Sequence, residues 1–96
     1  MVVALDRVYC CQNSVLMSQI DDEVVLMSIE KGYYFNLDEV GSSIWNRLKD
    51  NPQSISQICS GLMKEYEVDE QTCFQETTDF FEELLQFNLI NEYVPA

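Results

Sequence analysis

Apolar and polar residues alternate along this chain with two different periods, and the change falls near Asp38. Before it, short runs rich in apolar and β-branched residues are separated by polar turns. Ser14–Ile20 (SVLMSQI) and Val24–Ile29 (VVLMSI) read as strands parted by Asp21-Asp22-Glu23, and Tyr33–Leu37 (YYFNL) reads as a third strand, entered through Glu30-Lys31-Gly32. Gly32 has no Cβ and so accepts the positive φ that such a turn demands. Connections this short favour an antiparallel meander of three strands whose last member lies at an edge.

From Asp38 onward the apolar spacing becomes helical. Asp38 caps a first helix carrying Val40, Ile44, Trp45 and Leu48, and Lys49-Asp50-Asn51-Pro52 ends it. A second helix opens at Ser54-x-x-Gln57, the pattern of a capping box, with Ile55, Ile58, Cys59, Leu62, Met63 and Tyr66 on one face. A third starts at Asp69, stapled by Val68 and Cys73, and runs to about Gln86. Residues 88–93 (NLINEY) close the chain as a short extended tail. The expected architecture is α+β and winged helix-turn-helix-like: a three-stranded antiparallel sheet followed by three helices.

The third helix is apolar over more than one stripe. At about 100° per residue, Phe80, Leu84, Cys73, Thr77, Phe81, Phe74, Leu85 and Thr78 span roughly 160°, against the ~100° that a core-facing helix needs. Glu76, Asp79, Glu82 and Glu83 occupy the other side. Two readings stay open at this point: a thick core helix with a solvated acidic face, or a helix whose margin joins the edge strand in an apolar groove with an acidic rim.

Charge narrows the partners. The chain has 96 residues, enough for one domain (1–96), and its 17 acidic against 5 basic residues leave a net charge of -12. Arg7, Lys31, Arg47, Lys49 and Lys64 stand singly, so no basic stripe is available for phosphates and nucleic acid is a poor partner; a peptide or protein with basic residues is a better one.

The inventory of reactive groups is thin. There is no histidine, and Cys10, Cys11, Cys59 and Cys73 form no C-x-x-C, which argues against a metal site, a cofactor and Cys-His catalysis. Cys10-Cys11 admits a redox reading, whereas Cys59 and Cys73 sit on apolar helix stripes as small hydrophobes. The Asp21-Asp22-Glu23 carboxylates fall in a hairpin turn, where solvation is their ordinary role. The N-terminal MVVALDRVYCC is too short in its apolar part for a signal peptide and no stretch suits a membrane span, so the expected location is the cytosol.

One feature runs against protective practice. Edge strands are usually blunted by charge, and Tyr33–Leu37 has none, so it is expected to be open for a partner.

The order Gly32, Tyr34-Phe35, Leu37-Asp38, Gly41, Ile44-Trp45 resembles the PqqD family, whose pattern is a glycine, an aromatic strand, Leu-Asn, a helix-opening glycine and Ile-Trp. Residues 54–72 (SISQICSGLMKEYEVDEQT) and 80–90 (FFEELLQFNLI) continue the likeness, which covers about 14–92. Asp38 stands where that family has Asn, and Asn88 where it has Gly; both substitutes still cap or take a left-handed backbone.

The resemblance implies a non-catalytic module that holds the leader segment of a ribosomally made precursor peptide and presents it to modifying enzymes such as a leader peptidase or a cyclase. The leader would add as a strand along Tyr33, Tyr34, Phe35, Asn36 and Leu37, with Phe74, Thr77, Thr78 and Phe81 lining the groove. Glu76, Asp79 and Glu82 would attract its Lys or Arg, and Trp45 would be core. The resemblance points to the lasso peptide subgroup. The alternatives are a PqqD-type chaperone serving a radical SAM enzyme of the pyrroloquinoline quinone or a related pathway, and a winged-helix transcription regulator, against which the acidic helices speak. An open edge strand also admits a homodimer.

Overall fold

Local signals in the chain become elements nearly where they stand. The computed structural model describes residues 6–21 and 23–94; Asp22 and the first residues of MVVALDRVYCC, on which the signal-peptide expectation rested, lie outside them. Among the described residues the order is β1 (Val8–Cys11), β2 (Val15–Ile20), β3 (Glu23–Ser28), β4 (Tyr33–Leu37), α1 (Glu39–Asp50), β5 (Gln53–Ser54), α2 (Ile55–Glu65), α3 (Glu70–Gln86) and β6 (Ile90–Glu92).

The expected meander is present: β2, β3 and β4 form an antiparallel sheet in that order, with β4 at one edge and β2 at the other. In β3 the even positions Val24, Leu26 and Ser28 are buried and the odd ones are not, the period-2 signature of a sheet with one face on the core. Gly32 has φ 75, and its N–H closes the turn on the Ser28 carbonyl at 2.8 Å.

All three helix starts use the expected caps. Asp38 Oδ1 accepts from the Gly41 N–H at 2.7 Å, and Asp69 Oδ2 accepts from the Thr72 N–H at 3.0 Å. Ser54 and Gln57 close a reciprocal box: the Gln57 N–H donates to Ser54 Oγ at 3.2 Å, and the Ser54 N–H donates to Gln57 Oε1 at 2.9 Å. The capping bonds from Thr72 hold the Asp69 carboxyl below its ordinary range. The C-terminus of α3 is closed by a Schellman turn: Leu89 N–H reaches the Leu84 carbonyl at 2.9 Å, Asn88 N–H the Leu85 carbonyl at 3.1 Å, and Asn88 takes φ 57.

That turn has a consequence the local pattern did not show. It sends Ile90–Glu92 back to pair with β1, and β1 also pairs with β5, giving a second antiparallel sheet in the order β5-β1-β6. The expected architecture is therefore extended from three strands to six, and the expected short extended tail pairs as a strand. Its members are only four, two and three residues long, so each is too short to show a period of its own.

One apolar cluster binds the layers. It takes Tyr9 from β1, Leu26 from β3, Trp45 from α1, Ile58 from α2 and Phe81 from α3, all buried. Tyr9 and Phe81 meet edge to face at 5.4 Å and 87°, a geometry that adds about 0.5–1.5 kcal/mol to area burial. Cys59 and Cys73 are buried in the same cluster, and Val68 and Cys73 both pack into it as the staple requires. No described helix is long and apolar enough to cross a membrane.

Candidate functional site

The backbone of β4 is only half used. At its C-terminal end a side chain stands in for a rung of the sheet: the Val24 N–H donates to Ser42 Oγ at 2.8 Å, and the Ser42 hydroxyl donates to the Leu37 carbonyl at 3.2 Å. Val24 and Leu37 thus face each other, and the alternation of an antiparallel ladder turns the backbone of Phe35 and Tyr33 the same way, toward β3. Tyr34 and Asn36 therefore aim N–H and C=O away from the sheet, and no described residue bonds them there. Their side chains are exposed, Tyr34 by 71%.

Apolar groups stand near both ends of this strand. At one end Phe87, the residue that ends α3, packs against Phe35 at 5.1 Å and Tyr33 at 6.4 Å, and the rings of Tyr33 and Phe35 lie 6.0 Å apart. At the other end a cavity of about 380 Å³ opens between the start of α1, the end of α2 and the first half of α3. Val40, Ile44, Val68 and Phe80 give it apolar walls, while Asp38, Glu67 and Glu76 supply carboxylates. Tyr66 also lines it; desolvation, then Glu65 and Glu39, push its phenol above the ordinary value, so it stays neutral.

Gly41 lets the helices approach. A Cβ there would stand 3.1 Å from the capping Asp38 Oδ1 and 3.4 Å from the tip of the Phe80 ring. The small residue in the first turn of α1 thus leaves room for both the cap and the aromatic wall.

The structure sorts the site residues expected from sequence. Tyr33, Tyr34, Phe35, Asn36 and Leu37 form β4, with Leu37 buried. Thr77 and Glu76 line the cavity, Thr77 buried and Glu76 exposed. Phe81 is fully buried against Tyr9, and Phe74 is half-buried against the core. Thr78 is half-buried. Neither Asp79, which accepts from Gln75 at 3.0 Å, nor Glu82 lines the cavity.

Two residues that sequence reasoning left out of the site take part: Phe80 lines the cavity and Phe87 packs on Phe35 and Tyr33. They are seven positions apart and share a flank of α3, whereas Phe81 turns about 100° away from Phe80. Gly41 was the available signal: a glycine in a helical first turn marks a close approach by something large.

Thiol chemistry is muted here. Burial, then the neighbouring Cys10, pushes Cys11 up to about 12 despite Lys49, and burial pushes Cys59 up to about 11. The redox reading of Cys10-Cys11 consequently lacks a ready thiolate at Cys11. Folded protein treated with iodoacetamide at pH 8 is expected to keep Cys11 and Cys59 unmodified, with both labelled after denaturation in guanidinium. Labelling of Cys11 in the folded state at the rate of a free thiol would contradict this.

The comparisons with known proteins agree with the geometry. The family described as "Coenzyme PQQ synthesis protein D (PqqD)" matches residues 23–90. No curated protein matches significantly. Among solved structures, TbiB1 in complex with the TbiA(beta) leader peptide is 35% identical, with a TM-score of 0.82 over 90% of this chain and 99% of the other. A lasso peptide synthetase B1 complexed with the leader peptide is 22% identical, with a TM-score of 0.76 over 86% and 96%, and supports the fold alone. A family match over more than half of the chain, joined to that identity, leads to one conclusion: the chain belongs to the PqqD family.

Proposed function

We propose that this chain is a non-catalytic module that takes the leader segment of a ribosomally made precursor peptide as an additional strand on β4 and delivers it to separate modifying enzymes in lasso peptide biosynthesis. The observation that carries this reading is the free outer edge at Tyr34 and Asn36, with Phe87 packed on β4 and an apolar cavity beyond its C-terminal end. The 35% identical neighbour, whose structure contains a leader peptide, supports it.

Strand addition divides the work. Backbone bonds at Tyr34 and Asn36 hold the leader at about 0.5–1.5 kcal/mol net each, while alternate leader side chains pack on these apolar groups. Their apolar burial, at about 25 cal/mol per Å², contributes most of the affinity. Phe35, Phe80, Phe87 and Thr77 form the apolar lining in this reading. Glu76, joined by Glu67, favours a basic leader residue near the cavity; Phe81 and Phe74 act through the core instead.

The leader's other side chains face away from the helices. On that face the strand register sets Leu16, Met27 and Tyr34 side by side across the sheet, with Leu16 54% and Tyr34 71% exposed. An added leader strand would extend this apolar row, so it is the surface assigned to the enzyme that receives the leader. Continuity with the leader edge makes the two contacts neighbours.

A synthetic leader peptide from the precursor of the same gene neighbourhood tests the function. Titration is expected to give one leader per chain, with amide shifts concentrated in residues 33–38 and 76–87. Shifts confined to α2, or turnover of the precursor by this chain alone, would overturn the reading.

A further inference from the structure

The sheet has a second open edge, and its chemistry differs from the first. The Ile29 N–H donates to the Ser14 carbonyl at 3.1 Å, which sets the ladder's phase: Ser14, Leu16, Ser18 and Ile20 turn their backbone toward β3. Val15, Met17 and Gln19 therefore present N–H and C=O outward, and no described residue takes them. Residues 15–20 (VLMSQI) hold no charge and no proline, the devices that ordinarily close an edge.

Beside this edge lies a cavity of about 480 Å³ between β1, the start of β2 and the second half of α1. Val15, Met17, Trp45 and Leu48 line it, with Asn13 and Lys49. In a chain of net charge -12 it is a local reversal, since its lining includes Lys49 and no carboxylate. Lys49 makes no salt bridge among the described residues, and neither does Asp21 at the far end of β2.

We propose that the β2 edge pairs with the β2 edge of a second copy of this chain. The outward groups at Val15, Met17 and Gln19 are self-complementary about Met17: a two-fold antiparallel pairing sets Met17 against Met17 and Val15 against Gln19 of the second copy. Continued in register, it sets Asp21 of one copy opposite Asn13 of the other, beside Lys49, and the symmetry makes that charge pair twice. Gln19 of the second copy then lies over the cavity beside Val15 and Lys49. The pairing leaves β4 free, so a leader and a second copy occupy opposite edges.

Sedimentation equilibrium of the full chain, from micromolar to near-millimolar concentration, tests this. A concentration-dependent dimer is expected for the wild type. Asp21→Lys and Lys49→Asp each raise its dissociation constant about tenfold, because an exposed ion pair is lost twice and replaced by repulsion. The double exchange, Asp21→Lys with Lys49→Asp, returns it to within about threefold of wild type by restoring opposite charges. Asp21 has φ 57, where Asn is also tolerated, so Asp21→Asn removes the charge without backbone strain and is expected to weaken the dimer in the same direction. A monomer at every concentration, single exchanges without effect, a double exchange that fails to restore pairing, or a dimer that saturating leader peptide dissociates would each overturn the proposal.

Discussion

Asn36→Pro is expected to weaken leader binding about a hundredfold while leaving the fold intact. Proline removes the outward N–H and sets its ring where the incoming strand must lie, which leaves a leader carbonyl buried without a donor at a cost of about 1–3 kcal/mol besides the lost bond. The inner ladder is spared, because Asn36 does not donate toward β3; proline is tolerated at edge positions whose N–H faces outward. Asn36→Ala keeps the N–H and is expected to bind within about threefold of wild type, since a hydrogen bond lost there is a side-chain effect alone. Calorimetric titration with the leader, checked by far-UV circular dichroism and a thermal melt, separates the cases. Equal damage from proline and alanine would mean that the side chain is read and the strand-addition mechanism fails.

Ser42→Ala is expected to destabilise the fold by about 2–4 kcal/mol, because one hydroxyl serves two buried backbone groups. With it gone, the Val24 N–H and the Leu37 carbonyl face each other across a gap that the hydroxyl had spanned. Ser42 is 2% exposed, so water has little room to replace it. Urea denaturation of the variant should show a lower midpoint at unchanged slope, and the melting temperature should fall by about 10–25 °C on the scale of a domain this size. The exposed Ser60→Ala on α2 is the control, expected to stay within about 0.5 kcal/mol. If Ser42→Ala behaved like that control, the rung would have no energetic role. The same clip holds the end of β4 to α1, so the variant is also expected to loosen the leader edge.

Function and stability meet at that junction. Leu37 closes the strand, Asp38 caps the helix, Gly41 admits Phe80, and Ser42 joins β3 to β4, all within six residues. A rigid β4 holds Tyr34 and Asn36 in an extended conformation before the leader arrives, which lowers the ordering cost of binding.

What sequence reasoning reached by itself was whatever depends on near neighbours. The caps at Asp38, Ser54 and Asp69, the positive φ at Gly32 and Asn88, the three strands of the meander and the three helices follow from hydrogen bonds and steric limits spanning a few residues, and each was legible. So was the uncharged edge strand, and with it the location of the proposed site.

Tertiary structure alone decided the rest. β1 is four residues that gain meaning by pairing with residues 53–54 and 90–92, far along the chain. The apolar arc of α3 left both of its flanks eligible for the site. The packing of Tyr9 on Phe81 and the space above Gly41 selected the flank of Phe80 and Phe87 and sent Phe81 to the core. Helical periodicity records how much of a helix is apolar, and only the partners brought to each side by the rest of the fold determine which part becomes interior and which part faces a ligand.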